Sequence, residues 1–354
     1  MAISRKHWSR SDTDPRARSI DAPRAARRPL NRFGREMRGL QRRSTDMHDI
    51  TVLDGGMGRE LARMGAPFRQ PEWSALALME APHYVSLAHD AFVAAGADVI
   101  TANSYAVVPF HIGEERFRCD GVALAALAGQ LARQAADRAG RPVRVAGSLP
   151  PTGGSYRPDL FDAARADAIL ATLVDGLDPY VDLWLAETQS LTDEIGAVRR
   201  ALGENPKPLW VSFTLRDDVD AGATPVLRSG QTLDEAIDAA VSARATALLF
   251  NCSQPEAMGA AMGTVQRMLA RTGTSLVIGA YANAFPPQRA DARANEELHG
   301  LRGDIDPPGY ARWAEQWLEL GARIVGGCCG IGPDHIAALR DAVDARGAGH
   351  TGCG

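Results

Sequence analysis

From residue 50 onward, short apolar runs recur with longer amphipathic stretches between them, and the alternation has eight beats. Apolar runs fall at 51–54, 98–101, 143–148, 183–187, 209–214, 246–251, 276–281 and 323–326. Helical periodicity occupies His83–Ala95, Val122–Ala139, Ala163–Leu177, Thr192–Leu202, Thr232–Ala243, Glu256–Arg271 and Tyr310–Leu320, and a last helix is predicted from Pro333. Nearly continuous apolar strands separated by helix-length spacers are the pattern of parallel strands covered by helices. Eight such units point to an α/β chain folded as a (β/α)8 barrel, typically ~250 residues before loop insertions. An open, doubly wound sheet is the alternative.

Reactive residue types favour the barrel. Asp54, Glu187, Cys252, Asn283 and Cys328 all fall at or just past the C-terminal end of a predicted strand, the end at which barrels carry their active sites. In a closed barrel the last strand adjoins the first and lies two from the sixth. Cys252 and the adjacent pair Cys328 and Cys329 can then converge, although 76 residues separate Cys252 from Cys328. Three thiolates suit zinc, and three protein ligands leave a fourth tetrahedral position free, which is the arrangement of a catalytic site. Glycines at 326, 327 and 330 give the backbone the freedom to aim two neighbouring side chains at one point. The adjacent pair also allows a vicinal disulfide, and Cys252 a plain buried thiol. Cys119, in a charged connecting stretch, and Cys353, in a Gly-rich tail, are weaker candidates. The turn Asp54-Gly55-Gly56-Met57-Gly58 lacks both the dinucleotide spacing and a phosphate-binding lysine.

Charge divides the chain. Residues 1–46 hold 13 Lys and Arg against 5 Asp and Glu, a net of +8 within a total of −4, so the remainder carries −12. That basic segment has few large apolar residues and is expected to be disordered. A targeting segment, a binding arm and a true start of translation at Met47 are the readings open for it. No aromatic interleaving or reading module accompanies it, which argues against a nucleic-acid partner. Residues 47–346 are read as one barrel domain and 347–354 as a flexible tail. No segment approaches the ~20 apolar residues of a membrane span. Five cysteines without a regular framework fit a reducing compartment, and the expected location is cytoplasmic.

Five segments in order carry a family resemblance: Leu-Asp-Gly-Gly-Met-Gly-Arg-Glu-Leu, Gly-Ala-Asp-Val-Ile-Thr-Ala-Asn-Ser-Tyr, Leu-Ala-Glu-Thr, Phe-Asn-Cys-Ser and Gly-Gly-Cys-Cys-Gly. Together they resemble the homocysteine S-methyltransferases over Ile50 to Val343. The resemblance implies a zinc-dependent barrel that methylates the thiol of homocysteine, or another thiol or selenol, from betaine, S-methylmethionine or methylfolate. Carried over by motif, Cys252, Cys328 and Cys329 hold the Zn2+. Asp54 and Glu187 hold the acceptor's amino-acid group, Trp73 and Tyr105 surround the substrate or the donor's cationic methyl, and Asn283 lies near the metal. The bland roles are a turn acid for Asp54, a helix cap for Glu187, core packing for Trp73 and a turn residue for Asn283. The segment 147–159, Gly-Ser-Leu-Pro-Pro-Thr-Gly-Gly-Ser-Tyr-Arg-Pro-Asp, departs from the family's Gly-Pro-Tyr-Gly-like loop. The chain has no added folate, cobalamin or adenosylmethionine module, so a small onium donor is expected. A vicinal-cysteine redox protein and a noncatalytic zinc-binding protein are the competing classes.

Overall fold

The computed structural model describes residues 50–217, 224–287 and 300–350. The basic segment 1–46 and residues 351–354 lie outside them. Eight parallel strands form one sheet: β1 (Thr51–Val52), β2 (Val99–Thr101), β3 (Arg144–Leu149), β4 (Leu183–Gln189), β5 (Leu209–Phe213), β6 (Ala247–Asn251), β7 (Val277–Tyr281) and β8 (Ile324–Val325). Their order is β1-β8-β7-β6-β5-β4-β3-β2. A parallel bridge between Leu53 and Val99 joins the two ends, with Asp54 N–H donating to Val99 O at 3.0 Å. The sheet is therefore a closed (β/α)8 barrel, and no open, doubly wound arrangement remains.

Helices wrap the outside: α1 (Met57–Arg63), α2 (Ser74–Glu80), α3 (Pro82–Ala94), α4 (Pro109–Ile112), α5 (Glu114–Arg138), α6 (Ala163–Leu177), α7 (Thr192–Leu202), α8 (Leu233–Ser242), α9 (Pro255–Thr272), α10 (Pro307–Glu319) and α11 (Pro333–His350). Side-chain caps start several of them. The Asp162 carboxylate accepts from Arg165 N at 2.9 Å, and Thr232 and Glu235 form a capping box at α8. Helix α5 begins eight residues before the predicted Val122, which puts Cys119 on an exposed helix face rather than in a connecting stretch. Helix α11 runs to His350, four residues into the segment expected to be tail. No helix among the described residues is long and apolar enough to cross a membrane.

Alternation along each strand splits the core in two. Inward residues Leu53, Val99, Ala146, Leu183, Leu185, Trp210, Ala247, Leu249, Tyr281 and Ile324 fill the barrel, while the larger apolar layer lies between strands and helices. Strands β1, β7 and β8 approach one another closely at two glycines. A Cβ on Gly326 would lie 2.4 Å from the Leu53 Cβ, and one on Gly279 would lie 2.3 Å from Ile324 O. Only glycine lets β1, β7 and β8 approach this closely, and that approach brings the two cysteine segments to one mouth.

Candidate active site

The C-terminal mouth of the barrel holds a cavity of about 190 Å³. Its walls include Asp54, Arg59, Trp73, Tyr105, Tyr156, Glu187, Cys252, Cys328 and Cys329. Cys252 follows β6 directly and takes φ of +52°, a left-handed conformation unusual for a side-chain-bearing residue. Its neighbours pin it. Asn251 Oδ1 accepts from Thr188 N at 2.9 Å and from Ser212 Oγ at 2.7 Å, while Leu215 N donates to Ser253 Oγ at 2.8 Å. The second segment is fixed by its backbone: Gly327 N donates to Asp54 O at 2.9 Å, Cys328 N to Ala282 O at 3.0 Å, and Ala284 N to Cys329 O at 2.9 Å.

These bonds bring the three sulfurs within 4.8 Å of one another, and none is in a disulfide. Sulfurs around a tetrahedral zinc stand about 3.8 Å apart, given Zn–S bonds of about 2.3 Å. A separation within 4.8 Å is compatible with all three sulfurs reaching one ion of that size. Its donor set also asks for a cation, because three crowded thiolates, one buried and two half-buried, repel one another unless protons or a metal neutralise them. Cys252 is pulled well below the ordinary thiol range, since Cys328, Cys329 and Tyr156 all hydrogen-bond toward it. Cys328 and Cys329 are pushed up by the same arrangement and by burial. The residues fit a thiolate-bound metal.

Two carboxyl groups stand in the same cavity. Asp54 accepts from Thr101 N at 2.7 Å and Thr101 Oγ1 at 2.9 Å, and Glu187 accepts from Ser148 Oγ. Burial pushes Asp54 up to about 8 and Glu187 up to about 7. Among the described residues neither group has a cationic partner, and both gain from a cation arriving with a ligand. Glu187 caps no helix; the acid at the start of α7 is Glu194, which accepts from Ser190 N at 2.6 Å and Leu191 N at 3.1 Å.

Among the other predicted residues, Trp73 precedes α2 with φ of +48° and stacks edge-on against Phe68 at 5.5 Å. Tyr105 shares a 2.6 Å hydrogen bond between its hydroxyl and Ser155 Oγ. Both line the cavity. Asn283 does not. It is fully buried behind Cys252, where its Oδ1 accepts from Phe285 N at 3.2 Å and Gln254 Nε2 at 3.3 Å.

The structure adds residues that sequence reasoning passed over. Thr101 and Ser148 hold the two carboxyls, and polar residues near the C-terminal ends of buried strands were the signal that could have found them. Arg59 is the one lysine or arginine among the described residues lining the cavity, with its guanidinium 5.3 Å from the Phe285 ring centre. His111 also lines it; its Nδ1–H donates to Pro71 O at 2.9 Å, and burial pushes its pKa down to about 4, so it is neutral at pH 7.

A family model described as homocysteine S-methyltransferase matches residues 51–343. The chain belongs to that family. It is 31% identical to the homocysteine S-methyltransferase of Escherichia coli K12 over 83% of this chain and 96% of that one. It is 29% identical to the selenocysteine methyltransferase of Astragalus bisulcatus over 81% and 90%. Among solved structures, the metallated form of the homocysteine methyltransferase MmuM from Escherichia coli superposes with a TM-score of 0.66 at 28% identity, covering 86% of this chain and 99% of that one. This member of the family is a methyltransferase enzyme on a (β/α)8 barrel, and its three-cysteine cluster lies at the barrel's active end.

Proposed function

We propose that this enzyme transfers a methyl group from a small onium donor, of the S-methylmethionine or betaine type, to the thiol of homocysteine, forming methionine. The observation that carries the reading is one cavity holding both the sulfur triad and two carboxyls with no cationic partner among the described residues. Cys252, Cys328 and Cys329 would hold zinc; when bound, it supplies the positive charge that keeps a thiol deprotonated at neutral pH. A free thiol with pKa near ~8.5 is only a few per cent thiolate there.

The chain's own residues then orient the two substrates. Asp54 and Glu187 accept the acceptor's ammonium, and Thr101 and Ser148 fix where those carboxylates point. Trp73 and Tyr105 offer ring faces to a sulfonium or quaternary ammonium. Their position in the same cavity favours in-line approach of sulfur to methyl carbon. The acceptor sulfur's lone pair forms the new S–C bond as the old methyl–onium bond breaks. The breaking pair stays on the leaving thioether or amine, which departs neutral and needs no general acid. Free thiols at the triad suit a reducing cytoplasm, and both expected partners are small molecules rather than nucleic acid or membrane.

The test is zinc content and a donor panel on reduced protein, with homocysteine as acceptor and S-methylmethionine and betaine offered separately. One metal per chain and methionine from one donor are expected. Metal without methionine from any donor would overturn the substrate assignment, and reduced, folded protein without metal would overturn the site.

A further inference from the structure

One buried cluster at the mouth is not used by the methyl-transfer scheme. Tyr156, in the loop after β3, takes φ of +65° and reaches across 96 positions of chain to Cys252. Its hydroxyl lies 2.8 Å from Cys252 Sγ and 3.2 Å from Cys252 O. A thiolate can only accept, so once Cys252 is ionised the hydroxyl is the donor. Both residues of this contact hold left-handed backbone conformations without being glycine, a strain that persists only where surrounding structure enforces it.

Behind the phenol ring stands a charge. The Arg228 guanidinium sits 4.6 Å from the Tyr156 ring centre and pairs with Asp217 at 3.3 Å, with both side chains at most 1% exposed. A fully buried ion pair is a poor way to gain stability, because desolvation offsets most of the attraction. Its placement gives it a different use. A cation over the ring face draws electron density from the phenol and strengthens its hydroxyl as a donor. The circuit also closes on itself: Asp217 Oδ1 accepts from Gln254 N at 3.0 Å, two residues beyond Cys252, and Arg228 N donates to Thr214 O at 2.9 Å. The other sulfurs are served differently. Cys328 Sγ meets Asn251 Nδ2 at 3.8 Å, and the nearby Arg59 charge acts on Cys329.

We propose that Tyr156, braced by the buried Arg228–Asp217 pair, is a positioning residue that fixes the Cys252 sulfur and limits how much electron density it gives to the bound metal. The inference rests on the metal-site reading above. Partners that hydrogen-bond metal ligands typically change metal affinity by ~10–100-fold.

The test uses the full chain loaded with Co2+ as a spectroscopic probe, comparing wild type, Tyr156→Phe, and protein with 3-fluorotyrosine placed at position 156. In wild type, thiolate-to-cobalt charge-transfer bands are expected. Tyr156→Phe removes one hydrogen bond and should move those bands to lower energy, and because the loss of a fixed sulfur position outweighs the gain in donor strength, chelator competition should show affinity about 10-fold weaker. The fluorinated residue keeps the ring and has the stronger donor hydroxyl, so its bands should move the opposite way. A purely structural Tyr156 would not shift the bands in opposite directions. Unchanged bands and affinity in both variants would overturn the proposal, while wild-type protein without charge-transfer bands would overturn the metal site itself. Should Tyr156→Phe fail to fold, the fluorinated protein alone decides through the direction of its shift.

Discussion

Replacing Glu187 by Gln separates the charge of this carboxyl from its shape. The amide oxygen can still accept the Ser148 hydroxyl, as Glu187 does in the structure, so the wall of the cavity is kept. What is lost is the negative charge proposed to face the acceptor's ammonium. A hydrogen bond to a charged group contributes ~1.5–3 kcal/mol, and each ~1.4 kcal/mol is tenfold in affinity. Because Asp54 remains, acceptor binding should weaken about 10- to 150-fold rather than vanish. The assay is titration calorimetry with homocysteine and with 4-mercaptobutyrate, which lacks the ammonium. Wild type should prefer homocysteine strongly, and the variant should keep only the smaller, Asp54-dependent part of that preference while binding 4-mercaptobutyrate as before. Equal weakening for both acceptors, or none for homocysteine, refutes the pairing.

The same substitution carries a pH signature. Burial holds Glu187 near about 7 and Asp54 near about 8 in the free enzyme, so at pH 6 both are mainly protonated and neither pairs with an ammonium. Homocysteine binding should therefore strengthen as pH rises from 6 through 8, as each carboxyl ionises. Glu187→Gln should retain only the upper, Asp54-dependent part of that rise.

Cys328→Ser replaces a soft thiolate by a neutral hydroxyl; metal content by mass spectrometry should fall to background and turnover with it, and a variant keeping both would remove Cys328 from the triad. Gly56→Ala would put a Cβ 2.6 Å from Cys328 O and 3.0 Å from Cys329 Cα. It should cost ~1–3 kcal/mol of stability and, unlike a remote overpacking change, displace the cysteine pair enough to lower Co2+ affinity about tenfold; unaltered affinity would mean that the pair is not held by this contact. Glu194 is raised by burial from 4.5 to about 7, so the folded state binds more protons than the unfolded one between those values. Stability must then fall as pH rises across that window, by roughly 3 kcal/mol for this group. Urea melts at pH 5 and pH 8 should show a smaller difference in Glu194→Gln than in wild type, and identical differences would contradict the assignment.

Strand order and barrel closure were legible because each strand is buried on both sides and so reads as an apolar run whatever its neighbours are. Segment 209–214 differs from β5 by one residue. Helix α2 and the first turns of α5 were missed, for opposite reasons. Helix α2 buries five consecutive residues, Ser74 to Leu78, and so has no polar face to mark a period. The first turns of α5 run Glu-Glu-Arg-Phe-Arg-Cys-Asp, where Phe117 is the one buried residue and the charges hide the helical stripe.

The site divides along the same line between local and tertiary information. Cysteines and carboxyls at strand ends announce their chemistry by type, and the barrel supplies one rule for where they meet. Tyr156 and Arg228 announce nothing, because a tyrosine in a Gly- and Pro-rich loop acquires its role only when that loop folds over the end of β6. Asn283 marks where the rule itself fails. Tyr281 faces the barrel interior and the cavity, so strict alternation would send Asn283 the same way two residues later. But β7 ends at Tyr281. The next carbonyl, Ala282 O, accepts both Cys328 N at 3.0 Å and the Tyr310 hydroxyl at 3.3 Å. The chain turns at that point, Asn283 N donates to Ser253 O at 3.2 Å, and its side chain is carried behind Cys252. A residue two places past a strand end therefore buttresses the Cys252 loop, where alternation alone would have made it part of the cavity wall.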